Sequence, residues 1–349
     1  MIYLCSFSEQ GNGGNMKKIL LLTTGGTIAS EKGEEGLEPS LRSNDIINII
    51  GTAQYSEIVC EDLLSLDSSN IQPEEWLLIG KRIQKAVVQK ECDGIVITHG
   101  TDTMAYTASA LSFMLSNLPI PVVLCGSQLP LTHPLSDGVD NIRLAFFAAS
   151  QACLHGVFIA FHHCLMLGTR CVKVRTMGFD AFESVNVNPV GVLDARGLTI
   201  DQTLLPTISG SFHFYDQLCT DVFLLKLIPG MNPNILDILI EQNYKGIVIE
   251  AFGAGGIHFI RRDLIAKLDK LVQNGISVVV CSQCLYENSD FSIYQSGQKV
   301  LKQGVIQAYD MTSEACVTKL MWALGQQFDT EEIRYMFSTN YVQEITLSK

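Results

Sequence analysis

One short apolar strand sets the frame for this chain. It breaks at a glycine and at once presents a hydroxyl, a carboxylate and a second hydroxyl, in Ile95-Val96-Ile97-Thr98-His99-Gly100-Thr101-Asp102-Thr103-Met104. Ile95 to Ile97 is the unbroken apolar run of a buried strand, and from Met104 to Leu115 apolar residues recur at helical spacing. In an open α/β sheet, ligands gather at the carboxyl ends of strands, where the turns open and the next helix aims its free N–H groups. Thr101 and Asp102 occupy that position. A second turn of this kind follows the strand Lys18 to Leu22, in Thr23-Thr24-Gly25-Gly26-Thr27-Ile28-Ala29-Ser30. Two hydroxyl-bearing strand ends imply one cleft.

Strands and helices alternate along the rest of the chain. Pro73 opens a helix with Glu74 and Glu75 in its first turn, where the macrodipole favours acids. Trp76, Ile79, Ile83, Ala86 and Val87 give that helix one apolar stripe. After the strand Val122 to Cys125 comes a polar, proline-rich connection holding Ser127, Gln128, His133 and Asp137. Patterning weakens between Asp194 and Gln217, and alternation then restarts with the strand Val222 to Lys226. The fold class is therefore α/β in two domains. The larger, N-terminal one has a mostly parallel sheet flanked by helices, and the smaller, C-terminal one has a parallel sheet. The expected divisions are a disordered extension at 1–15, domains at 16–195 and 218–349, and a linker at 196–217.

A chain of 349 residues with 47% hydrophobic and 17% charged content can bury a substantial core. Its formal charge of -12, with 24 scattered Lys and Arg, argues against a nucleic-acid partner. Eleven cysteines, irregularly spaced, fit buried free thiols in a reducing compartment. Met1 to Asn15 has no positive n-region, so a cytoplasmic location is expected. The most apolar region, Leu144 to Leu167, is interrupted by polar residues and reads as helix, turn and strand rather than a membrane span.

Thr24-Gly25-Gly26-Thr27-Ile28-Ala29, taken with His99-Gly100-Thr101-Asp102-Thr103, closely resembles the paired signatures of the bacterial-type L-asparaginases. The likeness to their cytoplasmic, type I branch runs from about Lys17 to the C-terminus. It passes through Ser127-Gln128, Asp180-Ala181-Phe182-Glu183-Ser184 and Lys319-Leu320-Met321-Trp322-Ala323-Leu324. The resemblance implies hydrolysis of L-asparagine to L-aspartate and ammonia by a homodimer or homotetramer, with no cofactor or metal, no nucleic acid and no membrane. It also implies a site at the carboxyl ends of the N-terminal sheet, closed by a neighbouring subunit's C-terminal domain.

Amide hydrolysis needs a nucleophile, an acceptor for its proton, donors for the oxyanion and a proton for departing ammonia. A threonine hydroxyl is a poor nucleophile without a basic partner, and the candidate partner is Lys173. By the resemblance Thr27 is the favoured nucleophile, while Thr101, Lys173 and Asp102 form a hydrogen-bonded set. Asp102 matches the residue holding the substrate ammonium and Ser68 the one holding the α-carboxylate. Asp67, Gly26, Gly100 and Ser127 complete the substrate site.

Each of these residues also has an ordinary role to weigh. A Gly-Gly-Thr after a strand is by itself a tight turn, a lone lysine a solvated charge, and Ser68 plain turn chemistry. The Cys281-Ser282-Gln283-Cys284 spacing lacks a second pair and reads as buried thiols. The adjacent His162 and His163 would point to opposite faces of a strand, and His99 is assigned to packing or hydrogen bonding beneath its turn.

The chain departs from the resembled pattern in three places. Leu37 stands near where many members carry a tyrosine that orients the first threonine, and Val172 stands where some allosteric members carry a hydroxyl. Gly256 lies where secreted high-affinity members place an asparagine, so weaker binding and little glutamine hydrolysis are expected. Two rival readings are the asparaginase-like subunit of the archaeal tRNA amidotransferase and a non-catalytic amino-acid sensor. The first bears a folded N-terminal extension where only fifteen residues precede the expected N-terminal domain here, and the second would lack one of Thr27, Thr101, Asp102 and Lys173.

Overall fold

The computed structural model describes residues 2–5, 16–32, 37–39, 41–51, 56–291 and 295–346. The chain divides into two compact units, Met1–Asp216 and Gln217–Lys349.

Among the described residues, the first unit is built on a nine-stranded sheet. From one edge its strands are Ser56–Leu66, Lys17–Gly25, Gly94–Thr98, Pro121–Cys125 and Gly156–Phe161, all parallel. Strands buried on both faces read as continuous apolar runs, and Ile19 to Leu22, Ile95 to Ile97 and Val122 to Leu124 are all buried. The helices Pro73–Gln89, Met104–Met114 and Gly138–Ala149 are the crossovers that parallel pairing requires. Within Met104–Met114 only Tyr106 is half-exposed, so Thr107, Ser109 and Ser112 must find partners inside. They do so on His99, on the Gly168 carbonyl and on the Ala108 carbonyl.

The other four strands, Cys164–Leu167, Gly191–Asp194, Gly197–Asp201 and Ile2–Cys5, extend this sheet by antiparallel pairing. The sheet is thus mixed, its parallel half carrying the turns of interest. His162 and His163 do not lie within a strand as expected. Both have positive φ, 47° and 63°, and form the two-residue turn of the hairpin between Gly156–Phe161 and Cys164–Leu167.

Two expected boundaries move. The proposed linker at 196–217 begins with a true sheet strand, Gly197–Asp201, whose Leu198 and Ile200 are buried. The connection is only Ala195-Arg196, and Gly197 at φ 125° starts the return. The first unit therefore runs on to Asp216. The extension expected to be disordered contributes the edge strand, pairing Ile2 with Asp201 through Cys5 with Leu198. The strand Gly197–Asp201 otherwise offers an open row of N–H and C=O groups, and a β-prone Ile-Tyr-Leu run satisfies it. Residues 6–15 lie outside the described residues.

The polar loop Glu31 to Ser40 carries a short antiparallel pair, Ser30–Lys32 with Leu37–Pro39. The side chain at position 37 and residues 33–36 lie outside the described residues.

Among the described residues, the second unit has four parallel strands in the order Val222–Lys226, Gly246–Ala251, Ser277–Ser282 and Ile306–Gln307. Leu236, Leu239, Leu264, Leu268 and Leu271, from the helices Ile235–Glu241 and Leu264–Gln273, pack in its core with Ile247, Ile249 and Val280. Ser313–Gly325 and Thr330–Phe337 follow as helices. Gln295–Lys302 is a helix that the chain's weak apolar content there did not announce. Cys281 is buried at a strand end, but Cys284 is exposed, so the two are not the buried thiol pair expected. Among the described residues no helix is long and apolar enough to cross a membrane.

Candidate active site

Backbone sterics force the strand ends of the first unit together. Gly25 and Gly26 hold φ of 99° and 80°, a region that L side chains rarely adopt. A Cβ on Gly25 would fall 2.4 Å from Leu66 O, and one on Gly26 would fall 2.3 Å from Gly100 N. A Cβ on Gly100 would in turn lie 2.6 Å from Ser68 Oγ. Three turns thus meet at van der Waals contact only because these glycines lack side chains. They are those after Lys17–Gly25, Ser56–Leu66 and Gly94–Thr98.

Hydrogen bonds lock this junction. Gly26 N–H donates to Leu66 O (2.9 Å), Thr24 Oγ1 to Thr98 O (2.8 Å), and Thr103 Oγ1 to Ser68 O (2.7 Å). Thr27 opens the short 3-10 turn Thr27–Ala29 immediately after Gly26 and is half-buried. The contact of Gly26 with Gly100 carries Thr27 to the same junction as Thr101, which is 6% exposed.

Lys173 reaches the junction from another direction. It ends the strand Cys171–Lys173, which pairs with Phe182–Ser184 so that Lys173 lies opposite Phe182. Ser109 Oγ donates to Gly168 O (3.1 Å), tying this arm to the helix that follows Thr101. Lys173 Nζ lies 2.7 Å from Thr101 Oγ1 and 2.7 Å from Asp102 Oδ1. The lysine side chain is 17% exposed and the Asp102 carboxylate 64%, so the ion pair has a sheltered cation and an anion open to a ligand.

Beneath the turn lies a chain of polar contacts that sequence reading missed apart from His99. The Trp76 indole N–H donates to Thr107 Oγ1 (3.0 Å), Thr107 Oγ1 lies 2.9 Å from His99 Nε2, and His99 Nδ1 lies 2.6 Å from Gly100 O. A carbonyl only accepts, so Nδ1 carries the ring proton and Nε2 accepts from Thr107. Burial pushes the imidazole down to about 4, which keeps it neutral. His99 therefore serves beneath the turn, in the hydrogen-bonding role expected of it. A threonine in an otherwise apolar helix was the available signal for Thr107.

The other expected residues are placed unequally. Ser68 is buried at the junction, with Asp67 beside it. Asp67 Oδ1 accepts from Ser69 Oγ (2.6 Å) and Ser69 N–H (2.8 Å), bonds that hold its carboxyl below the usual range. One of its oxygens is therefore occupied in capping the Ser68–Asn70 turn. Ser127 is buried, but its hydroxyl donates to Leu129 O. Two further residues hold that turn. The Asp137 carboxylate accepts from Gln128 N–H (3.0 and 3.1 Å) and Leu129 N–H (3.1 Å), while Asn141 Nδ2 donates to Gly126 O (3.0 Å). Among the described residues no group of three or more His, Cys, Asp or Glu is placed to hold a metal ion.

A sheltered lysine beside a threonine hydroxyl and a carboxylate can move a proton on and off that hydroxyl, and the open carboxylate can hold an ammonium.

Known proteins resemble the chain over nearly its whole length. Residues 18–205 match the family described as Asparaginase, N-terminal, and residues 221–337 the Glutaminase/Asparaginase C-terminal domain. The chain is 43% identical over 332 residues to an L-asparaginase of Thermococcus kodakarensis, covering 94% of this chain and 99% of that one. The solved structure of the thermostable L-asparaginase from Thermococcus kodakarensis superposes with a TM-score of 0.89, covering 95% of this chain and 100% of that one. L-asparaginase I of Vibrio cholerae, 30% identical, gives 0.85 at the same coverage. A glutamyl-tRNA(Gln) amidotransferase subunit of Methanosphaera stadtmanae is 34% identical over 347 residues, covering 95% of this chain and 78% of that protein. Two matched domains and near-complete alignment place this chain in the asparaginase family.

Proposed function

We propose that the protein is an L-asparaginase, hydrolysing L-asparagine to L-aspartate and ammonia. The observation that carries this reading is Lys173 Nζ standing 2.7 Å from both Thr101 Oγ1 and Asp102 Oδ1, in a chain 43% identical to an L-asparaginase.

In this reading Thr27 Oγ1 attacks the side-chain amide carbon of the substrate. Its proton passes toward Lys173 by way of Thr101, backbone N–H groups of the junction receive the oxyanion, and ammonia leaves with the returned proton. Water then hydrolyses the acyl ester on Thr27, the same pair taking the proton from water and returning it to Thr27 Oγ1 as L-aspartate leaves. Asp102 holds the substrate ammonium, and Ser68 with neighbouring N–H groups the α-carboxylate. Asp67, Gly26, Gly100 and Ser127 shape the rest of the pocket, Ser127 through its backbone, since its hydroxyl is engaged with Leu129 O. No step calls for a cofactor. The protein works in the cytoplasm as a homodimer or homotetramer.

The amidotransferase subunit is the second reading, kept because a relative of that description shares 34% identity. Higher identity to the asparaginase, aligned over 99% of its length, favours the first. The two separate when purified protein is given L-asparagine alone and the products are quantified. Equal amounts of L-aspartate and ammonia support the asparaginase. Ammonia released only when a partner subunit and an aminoacyl-tRNA are added would overturn it.

A further inference from the structure

Gln128 lies in the turn after the strand Pro121–Cys125, and its side-chain amide fits in one orientation only. Nε2 is 3.1 Å from Thr176 O and 3.0 Å from Gly178 O. Both partners are carbonyls, which only accept, so both Nε2 hydrogens are committed to them. Oε1 must then face Thr101 Oγ1, at 3.4 Å. The backbone of Gln128 is held as well, by the Asp137 carboxylate.

That orientation constrains the Thr101 proton. Oε1 has no hydrogen to give, so Thr101 donates to it. Among the described residues the Thr101 hydroxyl has two side-chain partners, Lys173 Nζ at 2.7 Å and Gln128 Oε1. When Lys173 is an ammonium it donates to Thr101, and the single hydroxyl hydrogen points to Gln128. When Lys173 is a neutral amine the hydroxyl can turn its hydrogen to Nζ instead, and Gln128 loses its donor. Gln128 therefore stabilises the arrangement in which lysine is charged and threonine keeps its proton.

We infer that Gln128 is a positioning residue that acts through Thr101, biasing where the Thr101 proton sits and so setting the pH range in which the Lys173–Thr101 pair can accept a proton. The inference rests on the asparaginase reading for its link to turnover, though not for the hydrogen-bond geometry. Among the described residues, charged groups near the pair include Asp102 on Lys173, Asp137 behind Gln128, and Arg175 with Asp180 and Glu183 alongside the Lys173 strand. Substitution at 128 removes none of them.

The test compares Gln128→Met with Gln128→Glu. Both lose the two donors to Thr176 and Gly178, and in Gln128→Glu the second carboxylate oxygen also meets those two carbonyls. They differ at the oxygen facing Thr101, since Met offers no comparable acceptor and Glu offers a charged one. The acid-side limb of ammonia release from L-asparagine is expected to move about half a pH unit down in Gln128→Met and at least as far up in Gln128→Glu. Trace acetylation of the resting proteins with acetic anhydride across pH, read on the peptide carrying Lys173, is expected to split the same way. Gln128→Leu repeats the first arm should the methionine variant fold poorly. Variants whose limbs move together, or do not move, overturn the inference. A wild-type protein that releases no ammonia while the acetylation profiles still split would overturn the asparaginase reading and leave the role of Gln128 standing.

Discussion

Lys173 and Thr101 are 72 positions apart in sequence and 2.7 Å apart in space. The separation is bridged by two separate elements, the turn after Gly94–Thr98 and the two-stranded arm Cys171–Lys173 with Phe182–Ser184, joined through Ser109 and Gly168 O. Neither element makes the contact alone. Precision at the pair thus depends on how tightly the junction beneath it is packed.

Gly26 is the first place to test that dependence. An alanine there must hold φ near 80° and push its methyl against the backbone at Gly100, where no flexible side chain can give way. Gly26→Ala is expected to cost about 2 kcal/mol or more of folding stability. It should also reduce hydrolysis more than the stability loss explains, because Thr27 and Thr101 are both displaced. Urea midpoints and ammonia release on the same preparation check both parts.

His99 predicts a particular pH dependence of stability. In the fold, burial holds the imidazole down to about 4, while the unfolded chain titrates at an ordinary histidine value of about 6.5. Above that value the ring is neutral in both states and costs nothing. As pH falls toward about 4, the unfolded chain binds a proton that the fold refuses, so stability declines by about 3 kcal/mol in total and then levels. Gln at this position does not titrate. The difference in stability between wild type and His99→Gln, measured from pH 7 to pH 4 in urea, should shrink accordingly; a constant difference would contradict the neutral buried ring.

Much of this architecture was legible from residue order, and the reasons for the remainder are specific. The parallel strands announced themselves because strands buried on both faces must be apolar throughout, as at Ile95 to Ile97. The two signature turns were legible because the pair of them, in this order and spacing, resembles a known family pattern. The strand Gly197–Asp201 was not, because a short, glycine-started stretch with only Leu198 and Ile200 as apolar residues looks like a connector until its hairpin partner is known. The edge strand Ile2–Cys5 was missed for the same reason, since an edge strand is defined by the vacancy it fills. At the candidate site, Lys173 was found through its resemblance to a known pattern. Gln128 and Thr107 were missed as working groups because single polar residues acquire roles only through partners far away in the chain.

The second unit carries a fully buried ion pair. Lys319 contacts the Glu344 carboxylate and donates to Thr339 O (3.1 Å), both charged side chains being wholly inaccessible. Glu344 also accepts from Tyr341 N–H and Val342 N–H, so it ties down the chain's final turns. Burial lowers the lysine against the opposing pull of Glu344. Lys319→Met leaves a buried carboxylate without its cation and should cost about 3–5 kcal/mol. Adding Glu344→Gln to that variant should recover a large part, as read from paired urea melts.

Cysteine reactivity should be uneven. The Cys5 thiol donates to the half-buried Cys153, drawing it down to about 7, whereas burial pushes Cys92 up to about 11 and Cys125 above the usual range. Limited iodoacetamide at pH 7 is expected to label Cys153 ahead of Cys92 and Cys125. Cys5→Ala should slow labelling of Cys153 about tenfold, the thiolate fraction falling while its nucleophilicity rises. Peptide mass spectrometry reads both.

The central claim is that Lys173 and Thr101 act together in hydrolysing L-asparagine. The most direct measurement is ammonia release over an asparagine concentration series by the wild type, Thr101→Ala and Lys173→Met. Saturable hydrolysis by the wild type is expected, with kcat lower by about 10³-fold in each variant and KM changing far less. A wild type inert toward L-asparagine, or a Lys173→Met variant that turns over at the wild-type rate, would contradict it.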